Sequence, residues 1–248
     1  MMFEKQGNGR FVMKKREFVV QDILSKIYQE HYSEGKLPTQ RSLAVQYEVS
    51  RYTIQEAINS LSDIGVVQVV QGSGTFIRKD AKQNPLIYNS LTRNSYDRIS
   101  SKIVFLEKQP ALEEDRQIFE LDDEQFVWVF QRIRIVNYKI TQIETSKLPV
   151  SLFPDLTSSV VEDSIQKYVQ QSGYDISHYI TSYTPILITK KQSELLLCKK
   201  GTPAMKIINR GILKSGQVYE YSEVTAIDYS CTYIIPFNKE SHQTRQND

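Results

Sequence analysis

The run from Leu37 to Ile77 restricts the fold more than any other part of the chain, because it sets two helix starts, two apolar stripes and a glycine turn in one order. Thr39 and Ser50 stand where a hydroxyl can accept from an orphaned amide of a helical first turn. After the first, Leu43, Ala44 and Tyr47 form an inward stripe; after the second, Ile54, Ala57, Ile58, Leu61 and Ile64 recur at helical spacing. So few residues separate the two that only a tight turn fits. Gly65 ends the second helix, and Val66 to Val70 and Thr75 to Arg78 read as strands joined across Gln71-Gly72-Ser73-Gly74. A helix-turn-helix followed at once by such a hairpin wing projects the start of its second helix, here Arg51, Tyr52, Thr53 and Gln55, into the major groove of double-stranded DNA.

The segments Leu37-Pro38-Thr39-Gln40-Arg41-Ser42-Leu43-Ala44, Val49-Ser50-Arg51-Tyr52-Thr53-Ile54-Gln55-Glu56-Ala57 and Gly72-Ser73-Gly74-Thr75 closely resemble the winged helix of the bacterial GntR regulators. The resemblance implies DNA contacts from Thr39, Arg41, Ser50, Arg51, Tyr52, Thr53, Gln55, Gly72, Ser73 and Gly74. Two positions depart from the family pattern. Gln55 replaces a third arginine, and since arginine reads guanine while glutamine suits adenine, an atypical operator is expected. Gln40 replaces the usual glutamate after the cap, a change expected to alter helix charge more than specificity.

Upstream, Val19, Val20, Ile23, Leu24, Ile27 and Tyr28 make the stripe of a helix ending near Gly35. Downstream, Asp80, Asn84-Pro85, Asn89, Asn94 and Ser95 mark a linker. Lys102 to Glu107 reads as a strand, Leu112 to Phe119 as a helix, and Phe126 to Val136 and Ile140 to Lys147 as a hairpin. Val160 to Gln171 reads as one helix, followed by strands at Tyr174 to Ile188, Lys206 to Lys214 and Val218 to Ile227, with a short helix at Gln192 to Leu197. This is an α+β domain on an antiparallel sheet.

Trp128, Phe130, Arg132 and Arg134 share one strand face, which changes from apolar to cationic. A three-residue turn at Asn137 to Lys139 would set Arg132 opposite Glu144 and Arg134 opposite Gln142. Two readings stand open: an internal salt bridge, or a ligand site in which the arginines meet phosphate or carboxylate and Glu144 and Glu220 accept from hydroxyls or an amine. Ser164, near a helix N-terminus, could donate to an anion.

Arg132-Ile133-Arg134, Glu144-Thr145-Ser146-Lys147-Leu148-Pro149, Leu152-Phe153-Pro154-Asp155-Leu156, Ser164-Ile165, Gly201-Thr202-Pro203-Ala204 and Glu220-Tyr221-Ser222 resemble, in order and spacing, the UTRA effector domain. The resemblance implies the HutC-type branch of GntR regulators, a chorismate lyase-like fold, and binding of sugar phosphates, amino sugars or similar metabolites. It nominates Arg132, Arg134, Glu144, Ser164, Gln166 and Glu220 for the effector, with Gln166 standing where tyrosine or phenylalanine is usual. Ala226 and Ile227 also replace an aromatic and a cation of the pattern, so the effector's identity does not carry over.

The expected layout is a flexible tail at 1–15, a winged helix at 16–79, a linker at 80–100, an effector and dimerisation domain at 101–237 and a second tail at 238–248. A chain of 248 residues supports two cores. Net charge is only +2, so DNA affinity must come from local clusters, among them Lys14-Lys15-Arg16, Arg41, Arg51 and Arg78-Lys79. No apolar run approaches a membrane span or a secretory signal, so a cytoplasmic protein with no membrane partner is expected. Cys198 and Cys231 match no metal spacing, the three histidines are scattered, and neither a cofactor nor a metal is expected. The leading reading is a ligand-responsive repressor, a homodimer on a palindromic operator, controlled by an anionic small molecule. The alternatives are an architectural DNA-binding dimer, or a chorismate lyase-like enzyme, for which no nucleophile arrangement exists.

Overall fold

The computed structural model describes residues 15–79, 81, 86–89 and 98–235. The chain forms two compact units, Met1–Asn94 with Ser230–Asp248, and Ser95–Tyr229. The tails expected at 1–15 and 238–248 lie, but for Lys15, outside the described residues.

In the first unit, α1 (Lys15–Tyr28), α2 (Gln40–Gln46) and α3 (Arg51–Asp63) bury Val19, Ile23, Leu24, Ile27, Leu43, Ile54, Ile58 and Leu61 in one core. The first helix stops at Tyr28, short of Gly35. Glu30 turns left-handed at φ 61 and the His31 amide donates back to Lys26 O, which closes the last turn. Thr39 accepts from the Ser42 amide and Ser50 from the Thr53 amide, so both expected caps form. The wing is β1 (Val67–Val70) and β2 (Gly74–Ile77), turning through Gly72 at φ 75. Leu37 N donates to Thr75 O and Ile77 N to Gly35 O, so the segment entering α2 lies against the wing through a single bridge between Lys36 and Phe76.

Two expectations about the boundary change. The stretch expected as a linker contains β3 (Leu86–Asn89), and it pairs antiparallel with β10 (Cys231–Ile234), which had been assigned to the effector domain. The polar residues on either side masked the short Leu86-Ile87-Tyr88 run. Ile234 packs against the core of the winged helix.

The second unit is a six-stranded antiparallel sheet ordered β4-β5-β6-β9-β8-β7. Its strands are β4 (Ile99–Pro110), β5 (Phe126–Val136), β6 (Lys139–Pro149), β7 (Ile176–Leu187), β8 (Pro203–Leu213) and β9 (Val218–Ile227). On one face, Val161 of α5 (Ser158–Glu162) and Ile165 and Val169 of α6 (Ile165–Gln171) pack on Phe130, Leu148 and Tyr219. On the other, α4 (Glu113–Phe119) covers Val127 and Val129, and α7 (Lys190–Leu196) covers Ile133 and Ile143.

The single helix expected from Val160 to Gln171 is two. Ser164 is extended, at φ −121 and ψ 111, and accepts from the Lys167 amide, so it ends one helix path and caps the next. The β5–β6 turn also differs. It has two residues, Asn137 and Tyr138, both left-handed at φ 49 and 63, the pattern of a type I′ turn, and a bulge leaves Thr141 unpaired. The shorter turn and the extra residue cancel, so Arg132 faces Glu144 and Arg134 faces Gln142, the register a three-residue turn would have produced.

Candidate DNA interface and effector site

The start of α3 presents Arg51 and Tyr52 to solvent, Tyr52 at 74% exposure, and Arg41 is exposed on α2. Thr53 is half-buried and bonded to Ser50 Oγ at 2.9 Å. Thr39 and Ser50 are exposed, and Gly72, Ser73 and Gly74 form the exposed tip of the wing. Tyr52 follows Arg51 directly in the chain, and both are residue types suited to phosphates and base edges. Gln55 is different, being already engaged: Gln40 Nε2 donates to its Oε1 at 2.6 Å, and its Nε2 donates to Asn59 Oδ1 at 2.8 Å. Gln40 thus does more than alter helix charge, since it ties the start of α2 to a side chain of α3.

In the sheet domain, Arg132, Arg134, Glu144 and Glu220 converge on the face covered by α5 and α6. Arg132 is 2% exposed and grips Glu144 with two bonds, Nε to Oε2 at 3.0 Å and Nη2 to Oε1 at 2.7 Å. Its Nη1 donates to Val161 O, tying the strand to α5. Arg134 donates from Nε to Glu144 Oε2 at 3.2 Å and from Nη1 to Ser101 Oγ at 3.2 Å. Ser146 Oγ donates to Glu144 Oε1. Burial opposes ionisation of Glu144, but the charges of Arg132 and Arg134 overcome it and hold its carboxyl at about 2. The internal salt bridge is thus present, formed chiefly by Arg132. Glu220 is placed otherwise: burial first, then the Glu144 charge, push it up to about 7 against the opposing pull of Arg132.

The remaining two nominees sit apart from this cluster in their bonding. The Ser164 hydroxyl serves as the α6 cap, and Gln166 is exposed on α6. On the opposite face of the sheet a cleft of about 370 Å³ opens between α4 and α7 and touches none of the nominated residues. Part of its polar lining is paired, Gln131 with Thr145 and Gln192 with Thr225, while Lys147 reaches out of it to Asp115. Among the described residues no cluster of His, Cys, Asp or Glu could hold a metal ion, and no helix is long and apolar enough to cross a membrane.

A winged helix with the start of α3 exposed, joined in one chain to a sheet domain that carries a buried arginine–glutamate cluster, defines a class: DNA-binding regulators of transcription that carry an effector domain. Comparisons agree. Residues 15–77 match the model for bacterial regulatory proteins of the gntR family, and residues 95–226, over half the chain, match the UTRA domain. The mannosyl-D-glycerate transport/metabolism system repressor MngR of Escherichia coli (strain K12) is 28% identical over 209 residues, covering 80% of this chain and 85% of the relative. The HTH-type transcriptional repressor NagR of Bacillus subtilis (strain 168) is 25% identical over 194 residues, covering 75% and 79%. The crystal structure of the possible transcriptional regulator YydK from B. subtilis subsp. subtilis str. 168 shares the fold, with a TM-score of 0.55 at 24% identity over 91% of this chain and all of that one. The chain belongs to the GntR family and carries a UTRA effector domain. That family and these relatives regulate transcription; they are not enzymes.

Proposed function

We propose that the protein is a repressor that binds a palindromic operator as a homodimer in the cytoplasm and is controlled by an anionic, sugar-derived metabolite held by Arg134 and Glu220. The charge balance of the buried cluster carries this reading. Arg132 and Arg134 bring two positive charges, ionised Glu144 cancels one, and Glu220 with its carboxyl at about 7 cancels only part of the other near neutral pH. A surplus of positive charge at a partly buried site favours an anion. Arg132 is the anchor, wholly committed to Glu144 and Val161, whereas the Arg134 side chain is 18% exposed and its Nη2 meets no acceptor among the described residues. Glu220 can then accept from, or once protonated donate to, a hydroxyl of the same ligand. The name of MngR, a repressor of a mannosyl-D-glycerate system, supports both the repressor role and the ligand class. Two-fold symmetry would place two α3 helices in successive major grooves, doubling a modest set of contacts.

The test uses the full chain, an operator recovered by selection, and a panel of hexose phosphates. A member present at 100 times its dissociation constant should stabilise the protein by about 2.7 kcal/mol and release the operator. Arg134→Ala should keep operator binding but weaken the response to that compound by about one to three orders of magnitude. Arg132→Ala should instead cost about 3–5 kcal/mol of stability, since it takes the two-bonded partner from a buried carboxylate. An Arg134→Ala protein that melts early yet still responds would overturn the assignment.

A further inference from the structure

Three amides run in line across the DNA-facing helices: Gln40 at the start of α2, Gln55 one turn into α3, and Asn59 a turn beyond it. Each link has a direction. Gln40 Nε2 donates to Gln55 Oε1 at 2.6 Å, and Gln55 Nε2 donates to Asn59 Oδ1 at 2.8 Å. The Gln55 oxygen therefore points toward α2 and its nitrogen along α3, and neither end can turn over without breaking both bonds. An unrestrained glutamine can present its donor and acceptor in either order, and ordering it on binding costs side-chain entropy. Held as it is, Gln55 keeps one N–H and one oxygen lone pair, the combination that meets N7 and N6 of adenine edge-on.

The geometry points to Gln40 as a specificity-determining residue of the operator interface: touching no base itself, it orients the Gln55 amide so that one operator position is read as adenine on a defined strand. This rests on α3 being the recognition helix. Gln40 is a positioning residue in this scheme, and its effect is separable from that of a contact. Glutamate at position 40 has only acceptors, so it would draw the Gln55 nitrogen toward α2 and reverse the order of donor and acceptor presented to the base.

Selection from a random-sequence duplex library, with the full-length protein and its Arg51→Ala, Gln55→Ala, Gln40→Ala and Gln40→Glu variants, tests the proposal. Gln55→Ala should erase the adenine preference at one position per half-site. Gln40→Ala should weaken the preference at that same position several-fold, with the change confined to it and the melting temperature unmoved. Gln40→Glu should change which base is favoured there, an outcome that a purely structural role for Gln40 would not produce. If Gln55→Ala shifts the consensus while both Gln40 variants return the original one, the positioning role is overturned. If neither Arg51→Ala nor Gln55→Ala alters the consensus, it is the reading of α3 that fails, and the proposal with it.

Discussion

Glu144 and Glu220 lie on one face of adjacent strands, yet their environments drive them apart. Glu144 is matched by two guanidinium groups and sits at about 2; Glu220, half-buried near that negative charge, sits at about 7. The signs differ accordingly. Glu144 ionises more readily in the folded chain, so its contribution is present above its ordinary value of 4.5 and is lost as the pH falls toward 2. Glu220 binds its proton more tightly when folded, so its contribution is present below 4.5 and is lost as the pH rises through 7. Glu220→Gln should therefore flatten the decline in melting temperature that the native chain shows between roughly pH 5 and pH 8. Parallel melting profiles for the two proteins would count against a proton held at Glu220.

Among the elements, the β8–β9 pair depends on a missing side chain. A Cβ on Gly211 would lie 2.6 Å from two ring carbons of Tyr219, which is fully buried and bonded through its hydroxyl to Tyr179 at 2.8 Å. The ring cannot retreat, because Phe130, Leu148 and the helices α5 and α6 fill the same core. Gly211→Ala should cost about 1–3 kcal/mol through overpacking. It should also disturb Glu220, the residue paired with Gly211 across the strands, so the calorimetric loss should come with a weaker effector response. Unchanged melting would mean that the strands part more easily than this packing implies. Short helices matter as much as strands: Ser164 and Thr189 each supply a cap that lets a seven-residue helix begin where the sheet face must be covered.

At the scale of the whole molecule, the chain passes from the winged-helix unit into the sheet unit and then returns. The strand after β9 comes back as β10 to pair with β3, and Ile234 reaches the core built by α1, α2 and α3. The strand that carries Glu220 is thus joined, through a few residues, to one that supports the DNA-binding unit. Ile234→Ala should destabilise that unit by about 1–2 kcal/mol, in proportion to the apolar area withdrawn from it. Hydrogen exchange of the α1 and α3 amides is the measurement, and faster exchange there, at a residue so distant in sequence, is the expected outcome. Protection equal to that of the native chain would show that β10 contributes nothing to the core.

Local chemistry was enough to read the winged helix, because Thr39, Ser50, Gly65 and Gly72 act through neighbours within a few residues, and the apolar period of α3 is unbroken. The pairing of Arg132 with Glu144 was legible too, since a register across one hairpin depends only on the turn, even though the turn itself has two residues and a bulge rather than three residues. Other features depended on residues far apart in sequence. The bond between Gln40 and Gln55 joins two positions that each looked like an isolated departure from a pattern, and only the crossing of α2 over α3 makes them partners. The pairing of β3 with β10 leaves no periodic trace, because four-residue strands are too short to show one. The burial of Arg132 was likewise a tertiary matter, for the Val161 carbonyl of α5 takes a further bond of that guanidinium, while Arg134, lacking such a helix contact among the described residues, stays nearer the solvent.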